Sequence, residues 1–204
     1  MAEFENIQDL LNDFRSNVIR EAKRNLTSQN TSGRLSKSLK SYVKESKNSI
    51  QISFEMDEYG FYQDEGVKGA NPNALPKPGA KSKDGKKTLK GSKNYGKQKA
   101  PNSQYRFGSG KGRKGGLTKG LDKWIVQKGI APRDKKGKFM SRKTLKFLMA
   151  RSIYLSGIKP TLFFTKPFEK YFKRLPDELI EKYGLDMEKL FTQITDENFK
   201  RLNR

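Results

Sequence analysis

The chain contains no cysteine and no histidine. That excludes disulfides, thiol nucleophiles, structural zinc sites built on those ligands, and any Ser-His or Cys-His catalytic pair. Acid is scarce: 22 Asp and Glu stand against 44 Lys and Arg, a formal net charge of +22 over 204 residues. Apolar residues make up 33%. An average soluble domain has roughly 45–50%, a figure that also counts glycine. The material suffices for one modest core, and the length allows one domain or one domain with a large embellishment. No run approaches the ~18 apolar residues of a membrane span. The Met1 to Glu5 start lacks the basic and apolar regions of a signal peptide. These features predict a protein made in the cytoplasm that works through its surfaces, against an acidic partner.

The charge is uneven. Lys68 to Gly120 holds 15 Lys and Arg and one acid, Asp84, together with 11 of the 18 glycines and 4 of the 8 prolines. Its apolar residues are isolated, among them Leu75, Leu89, Tyr95, Tyr105, Phe107 and Leu117. Such a segment buries too little apolar surface to offset the entropy of ordering itself. It reads as a long basic arm inserted into an ordinary domain, and loops of this length are functional or disordered.

Outside the arm the patterning is regular. Phe4, Ile7, Leu10, Leu11, Phe14, Val18, Ala22 and Leu26 recur at helical spacing and predict a helix from about Glu5 to Asn30, ended by Thr31-Ser32-Gly33. A hairpin follows, Ser38 to Glu45 and Ser49 to Met56, turning at Lys47-Asn48. Ile50, Ile52, Phe54 and Met56 lie on its buried face. Asp57 to Val67 predicts a short helix or turn. Thr118 to Lys128 predicts a helix with Leu121, Trp124 and Ile125 inward and Gly129 as its end. Pro132 to Lys138 is a basic turn. Ser141 caps a helix to Ser156 that uses Leu145, Leu148, Met149, Ser152 and Ile153 and ends at Gly157. Ile158 to Thr165 predicts a strand centred on Leu162, Phe163 and Phe164. Pro167 opens a helix with Phe168, Tyr171, Phe172 and Leu175 on its apolar side. A last helix spans about Asp186 to Leu202, with Met187, Leu190, Phe191, Ile194 and Phe199. No repeat of solenoid length is present.

Chemical motifs are few. Gly91 to Lys97 has the letters of a phosphate-cradling P-loop, but Gln98 stands where Ser or Thr holds magnesium, and no apolar strand precedes Gly91. Gly110, Gly112 and Gly115 match a dinucleotide fingerprint in letters only: no strand leads in and no acid lies ~20 residues on. Asp57, Glu58, Asp64 and Glu65 cluster as carboxylates. A nuclease needs converging oxygen ligands and a water activator, so these acids read better as ion-pair partners within the chain or across subunits. The arm's Tyr95, Tyr105 and Phe107, with Trp124 beyond, interleave aromatics with lysine. That suits phosphate neutralisation with base stacking and equally suits docking on an acidic protein surface. The candidate contact residues are Lys81, Lys83, Lys86, Lys87, Lys90, Lys97, Lys99, Arg106, Lys111, Arg113 and Lys114. The excess of lysine over arginine favours diffuse charge contacts over bidentate base readout.

Two stretches carry a family resemblance. Tyr59-Gly60-Phe61-Tyr62-Gln63-Asp64-Glu65-Gly66-Val67 is similar to the Tyr-Ala-x-Tyr-x-Glu-x-Gly-Thr segment of phage tail-completion proteins, the small head–tail connector (neck) subunits of tailed bacteriophages. Tyr59, Tyr62, Asp64 and Gly66 fall on matching positions. Asp64 stands for the family's Glu and Val67 for its Thr. Ile158 to Phe168 resembles the closing Ala-Arg-Pro-Phe-x-x-Pro-Ala-Phe element, with Phe164, Pro167 and Phe168 as its structural residues.

The resemblance implies an α+β fold: a small antiparallel sheet with a long N-terminal helix and C-terminal helices. Here it is interrupted by a long basic Gly/Lys-rich insertion. On that picture residues 1–67 and 158–204 form the core domain, 68–120 the basic arm, and 121–157 the helical part of the insertion. It implies no catalysis, no cofactor, no metal and no small-molecule substrate. It implies a ring of identical subunits in the virion neck, touching portal-side connector and tail proteins, with DNA in the channel. The alternative is a basic nucleic-acid-binding protein for packaging or RNA association. A metal-dependent nuclease ranks third.

Overall fold

The computed structural model describes residues 5–27, 33–46, 49–81, 91–109, 116–133 and 137–202. The fold is α+β, with small two-stranded antiparallel sheets between a long N-terminal helix and C-terminal helices. The chain divides into two compact units, Met1–Asp57 with Phe163–Arg204, and Glu58–Leu162.

The first unit is built on α1 (Glu5–Thr27), whose buried residues Ile7, Leu11, Phe14, Val18, Ala22 and Leu26 are the stripe the spacing predicts. Residues 28–32, and with them Asn30 and the Thr31-Ser32 stop, lie outside the described residues, as do Phe4 and the Lys47-Asn48 turn. A one-turn helix absent from the sequence reading, α2 (Arg34–Ser38), buries Leu35. Strands β1 (Lys40–Ser46) and β2 (Ser49–Glu55) form the hairpin, with Val43 opposite Ile52 and Ser41 opposite Phe54. Ile52 and Phe54 pack on the core, but Ile50 is 40% exposed. The alternating pattern therefore overstates the buried face at the turn end of the ribbon.

Helix α6 (Thr165–Phe172) follows, with Pro167 buried in its first turn. Phe14 and Phe54 each meet Phe168 edge to face, as do Phe14 with Phe54 and Phe54 with Phe164, at centroid distances of 5.3–6.2 Å, an arrangement aromatic quadrupoles favour, while Phe164 stacks on Phe168. Phe172 is half exposed and extends the cluster at its edge, its ring stacked on Phe168 at 5.4 Å. Helix α7 (Leu175–Leu202) starts eleven residues before the expected Asp186. Pro176 falls in its first turn, where its missing N–H costs nothing, and Gly184 is carried inside it. Fully buried Phe163 joins Leu26, Leu35 and Leu39 in a second cluster.

The second unit contains α3 (Tyr59–Glu65), β3 (Val67–Lys68), a 3-10 turn at Pro72–Ala74, α4 (Gly116–Gln127), α5 (Arg142–Ser156) and β4 (Gly157–Ile158). Helix α4 buries Ile125 and ends in a Schellman pattern. Gly129 N–H donates to Val126 and Ile130 N–H to Ile125. Ser141 caps α5 by accepting from the Thr144 N–H at 3.2 Å. The strand predicted across Ile158 to Thr165 is only two residues long. Leu162 takes a left-handed φ of 52° and its N–H donates to the Asp64 carbonyl at 3.0 Å, so the chain turns where the apolar run suggested extension.

The basic segment also departs from expectation. Its ends are regular, Lys68 in β3 and Gly116 to Gly120 in α4, and its described parts 75–81 and 91–109 lack helix and strand but are packed, with Leu75, Ala100 and Ser103 buried. Gly91 sits so close to the other limb that an added Cβ would lie 2.1 Å from the Pro78 nitrogen. Lys68 and Phe107 exchange backbone bonds with Tyr105 and Lys68 at 2.8 and 2.9 Å, and the Gln98 amide pairs with both backbone groups of Gly69. Side-chain amides and hydroxyls thus supply the order that scarce apolar residues could not. No helix among the described residues is long and apolar enough to cross a membrane.

Candidate interaction surfaces

The two family-like stretches meet at a junction inside the second unit. Val67 pairs with Ile158 across β3 and β4. Thr161 donates its N–H to the Gln63 and Asp64 carbonyls, both at 3.1 Å, and its hydroxyl to Gln63 at 2.9 Å. Gly66 has φ 74°, and a Cβ there would stand 2.5 Å from the Ile158 oxygen and 2.7 Å from the Pro160 nitrogen. A glycine is required twice over, by backbone conformation and by close approach. Ser103 closes the other side, donating to the Gly66 carbonyl at 2.7 Å.

Around this junction Asp64 is buried and Tyr59 is 41% exposed. Tyr62 stands edge-on to Tyr105 at 4.5 Å and donates to Glu58 Oε1 at 3.1 Å. That hydrogen bond, and the charge behind it, raise the Tyr62 phenol above its ordinary pKa of 10.0. Burial, then the nearby Glu65 and Glu58 carboxylates, raise Tyr105. Phe164, Pro167 and Phe168 belong to the first unit, in the aromatic cluster described above.

The candidate carboxylates do not converge on a metal. Asp57 bonds Arg34 at 2.9 Å, Glu58 accepts from Tyr62, and Glu65 accepts from Gln104 at 3.0 and 3.1 Å. Among the described residues no group of three or more acids is placed to hold an ion. The P-loop-like letters at Gly91 to Gln98 form turns, and among the described residues no helix follows them directly.

Of the eleven candidate cations, Lys81, Lys97 and Arg106 are exposed and Lys99 half-buried. Lys83, Lys86, Lys87, Lys90, Lys111, Arg113 and Lys114 lie outside the described residues. The unit boundaries sharpen the charge distribution. Glu58–Leu162 carries 26 Lys and Arg against 6 Asp and Glu, a net +20. The first unit carries 18 against 16, a net +2. Helices α4 and α5 thus belong to the basic body as much as the arm does. On α5, Phe147 is 63% exposed beside exposed Lys143 and Arg151.

Two surfaces of the first unit were not anticipated. An open cleft of about 610 Å³ lies between α1 and β1, floored by Ile19 and Leu39 and bordered by Arg15, Arg20, Lys23 and Lys40. Arg15 is set by donating to the Ser41 carbonyl at 3.2 Å. Helix α7 exposes Ile180, Tyr183, Phe191 and Ile194. The 3,4 spacing of these apolar residues was visible in the sequence, but a second stripe on the same helix takes the core side. Comparison with models of known families, with curated proteins and with solved structures gives no match.

Proposed function

We propose that this chain is a structural subunit of the head–tail connector (tail-completion) type. In this reading it forms a ring in the neck of a tailed phage, between the portal-side connector and the tail. One observation carries the reading. The two stretches that resemble that family are separated by residues 68–157, yet they fold onto each other through Val67–Ile158, Thr161–Gln63 and the Gly66 contact. The aromatic packing of Phe164 and Phe168 on Phe14 and Phe54 ties the end of the second stretch to the long N-terminal helix.

The subunit performs no chemistry in this reading and needs no cofactor. The basic unit contacts acidic surfaces of neighbouring subunits or of other neck and tail proteins. Imaging of assembled particles tests it. Symmetric density for this chain at the neck is the expected result, and its absence from particles rules the reading out.

A second reading rests on a separate observation, the concentration of +20 in Glu58–Leu162. A nucleic-acid-binding protein would retard duplex DNA with a steep fall in affinity as salt rises, because each neutralised phosphate releases a counterion. Retardation that is lost between about 50 and 200 mM salt, by the protein outside any particle, would favour it.

A further inference from the structure

Helix α7 carries two stripes. Leu175, Leu179, Lys182 and Asp186 turn inward, with Leu175 and Asp186 buried. Ile180, Tyr183, Met187, Phe191 and Ile194 form a second stripe about 100° around the helix at 100° per residue; of these Ile180, Tyr183, Phe191 and Ile194 are 47–73% exposed. Exposed Asp177, Glu181 and Glu188, at i, i+4 and i+11, border that stripe on the side away from α1. The same unit holds the α1–β1 cleft, with an apolar floor and a border of four cations. One face is an apolar ridge edged with acid; the other is an apolar groove edged with base.

The outer part of the ridge cannot reach the groove within one molecule. Lys170 and Tyr171 of α6 bond Glu21, while Asp186 bonds Asn6 and Lys189 pairs with Glu5. Helix α7 therefore runs antiparallel to α1, and Leu190–Leu202 continues past Glu5, the first described residue of α1. Thirteen helical residues reach about 20 Å. The cleft residues, Arg15 to Lys23, lie toward the other end of α1. The outer part of the ridge, Phe191 and Ile194, leaves one end of the unit, and the groove opens away from that end.

We propose that the ridge of α7 docks in the α1–β1 cleft of a second copy of this chain. Ile180, Phe191 and Ile194 would cover Ile19 and Leu39, with Glu181 and Glu188 facing Arg15, Arg20, Lys23 and Lys40. This is helix-in-groove recognition with complementary charge fixing the register. The contact joins two different patches, so it propagates head to tail and closes into a ring or continues as a filament. It deepens the connector reading and rests on it for its biological setting.

Complementary variants test it by sedimentation of the full chain at about 100 μM. The ridge variant is Phe191→Asp with Ile194→Asp; the groove variant is Arg20→Glu with Lys40→Glu. All four positions are exposed, and circular dichroism checks the fold. Wild type should form multimers. Each variant alone should associate at least tenfold more weakly. An equimolar mixture should form a 1:1 heterodimer and stop there, because one intact ridge meets one intact groove. Glu181→Lys with Glu188→Lys should restore association to the groove variant.

A monomeric wild type, variants that assemble as wild type does, or a mixture that stays monomeric would each overturn the proposal. So would assembly lost in the ridge variant alone, which marks a ridge-to-ridge contact, or DNA occupying the groove cations with no self-association. A heterodimer from a protein absent from particles leaves this inference standing and removes the connector reading. Symmetric neck density with no heterodimer does the reverse.

Discussion

The carboxylate of Asp186, in the middle of α7, accepts from the Ile7 N–H at 3.2 Å, at the first turn of α1 and 179 residues away. Its other oxygen accepts from the Asn6 side chain at 2.6 Å and from the Asn6 N–H at 3.3 Å. A helix start has N–H groups with no partner of their own and a positive dipole end, and a buried acid answers both. Replacing Asp186 by Ala should lower the stability of the first unit by about 2 kcal/mol, since it leaves buried donors unmet. Asn at 186 keeps an acceptor and should lose about half as much. Urea unfolding followed by circular dichroism measures both.

The second prediction concerns Gly66. Alanine there meets the Ile158 carbonyl at 2.5 Å in addition to a left-handed backbone. It should cost at least about 3 kcal/mol and unpair Val67 from Ile158. Gly79 has a similar φ, 79°, with open space around it. Gly79→Ala should therefore cost only the backbone strain, about 1 kcal/mol. Equal losses at the two positions would show that the close contact contributes nothing.

A third concerns pH. The side-chain hydrogen bond from Lys170, then that from Tyr171, hold the Glu21 carboxyl below its ordinary 4.5. A lowered carboxylate pKa stabilises the fold above the unfolded value and loses that contribution as pH falls through the folded value. The same bond raises Lys170 above its ordinary 10.5, so the pair's contribution fades again at higher pH than that. Wild type should lose stability more steeply than Glu21→Gln as pH drops from about 5 toward 3. Parallel melting-temperature curves for the two proteins would refute the link.

Phe54 and Ile50 give a fourth. Both lie on the face of β2 that alternation predicts to be buried, yet Phe54 packs against Phe14, Phe164 and Phe168 and Ile50 does not. Phe54→Ala should cost about 3 kcal/mol. Ile50→Ala should stay within about 0.5 kcal/mol. Guanidinium midpoints for the two variants decide it.

Helices with a single apolar stripe were legible because their period is local. The α1 stripe, the Ser141 cap and the Gly129 end are each fixed within a few residues of chain. The Leu162 turn was not legible, because its cause is a hydrogen bond to Asp64, almost a hundred residues earlier. Helix α7 runs from Leu175 through Gly184, where the sequence pattern starts its last helix only at Asp186. Packing along α1 overrides a propensity cost of about 1 kcal/mol. The packing of residues 91–109 was missed because it depends on polar side chains, Gln98, Ser103 and Asn94, bonding distant partners. Composition weighs apolar area and gives such bonds no credit.

By itself the sequence determined the long first helix, the hairpin, the absence of Cys-His chemistry and the excess of positive charge. These follow from composition and from periods of two and 3.6. Tertiary structure decided where the charge resides, bringing +20 into Glu58–Leu162 and leaving the first unit nearly balanced. It also decided that Tyr59 to Val67 rests on Ile158 to Leu162, and which of the two stripes of α7 remains in solvent. Long-range contacts choose among faces that local patterning makes equally apolar, because burial is a property of what packs opposite and not of the residue alone.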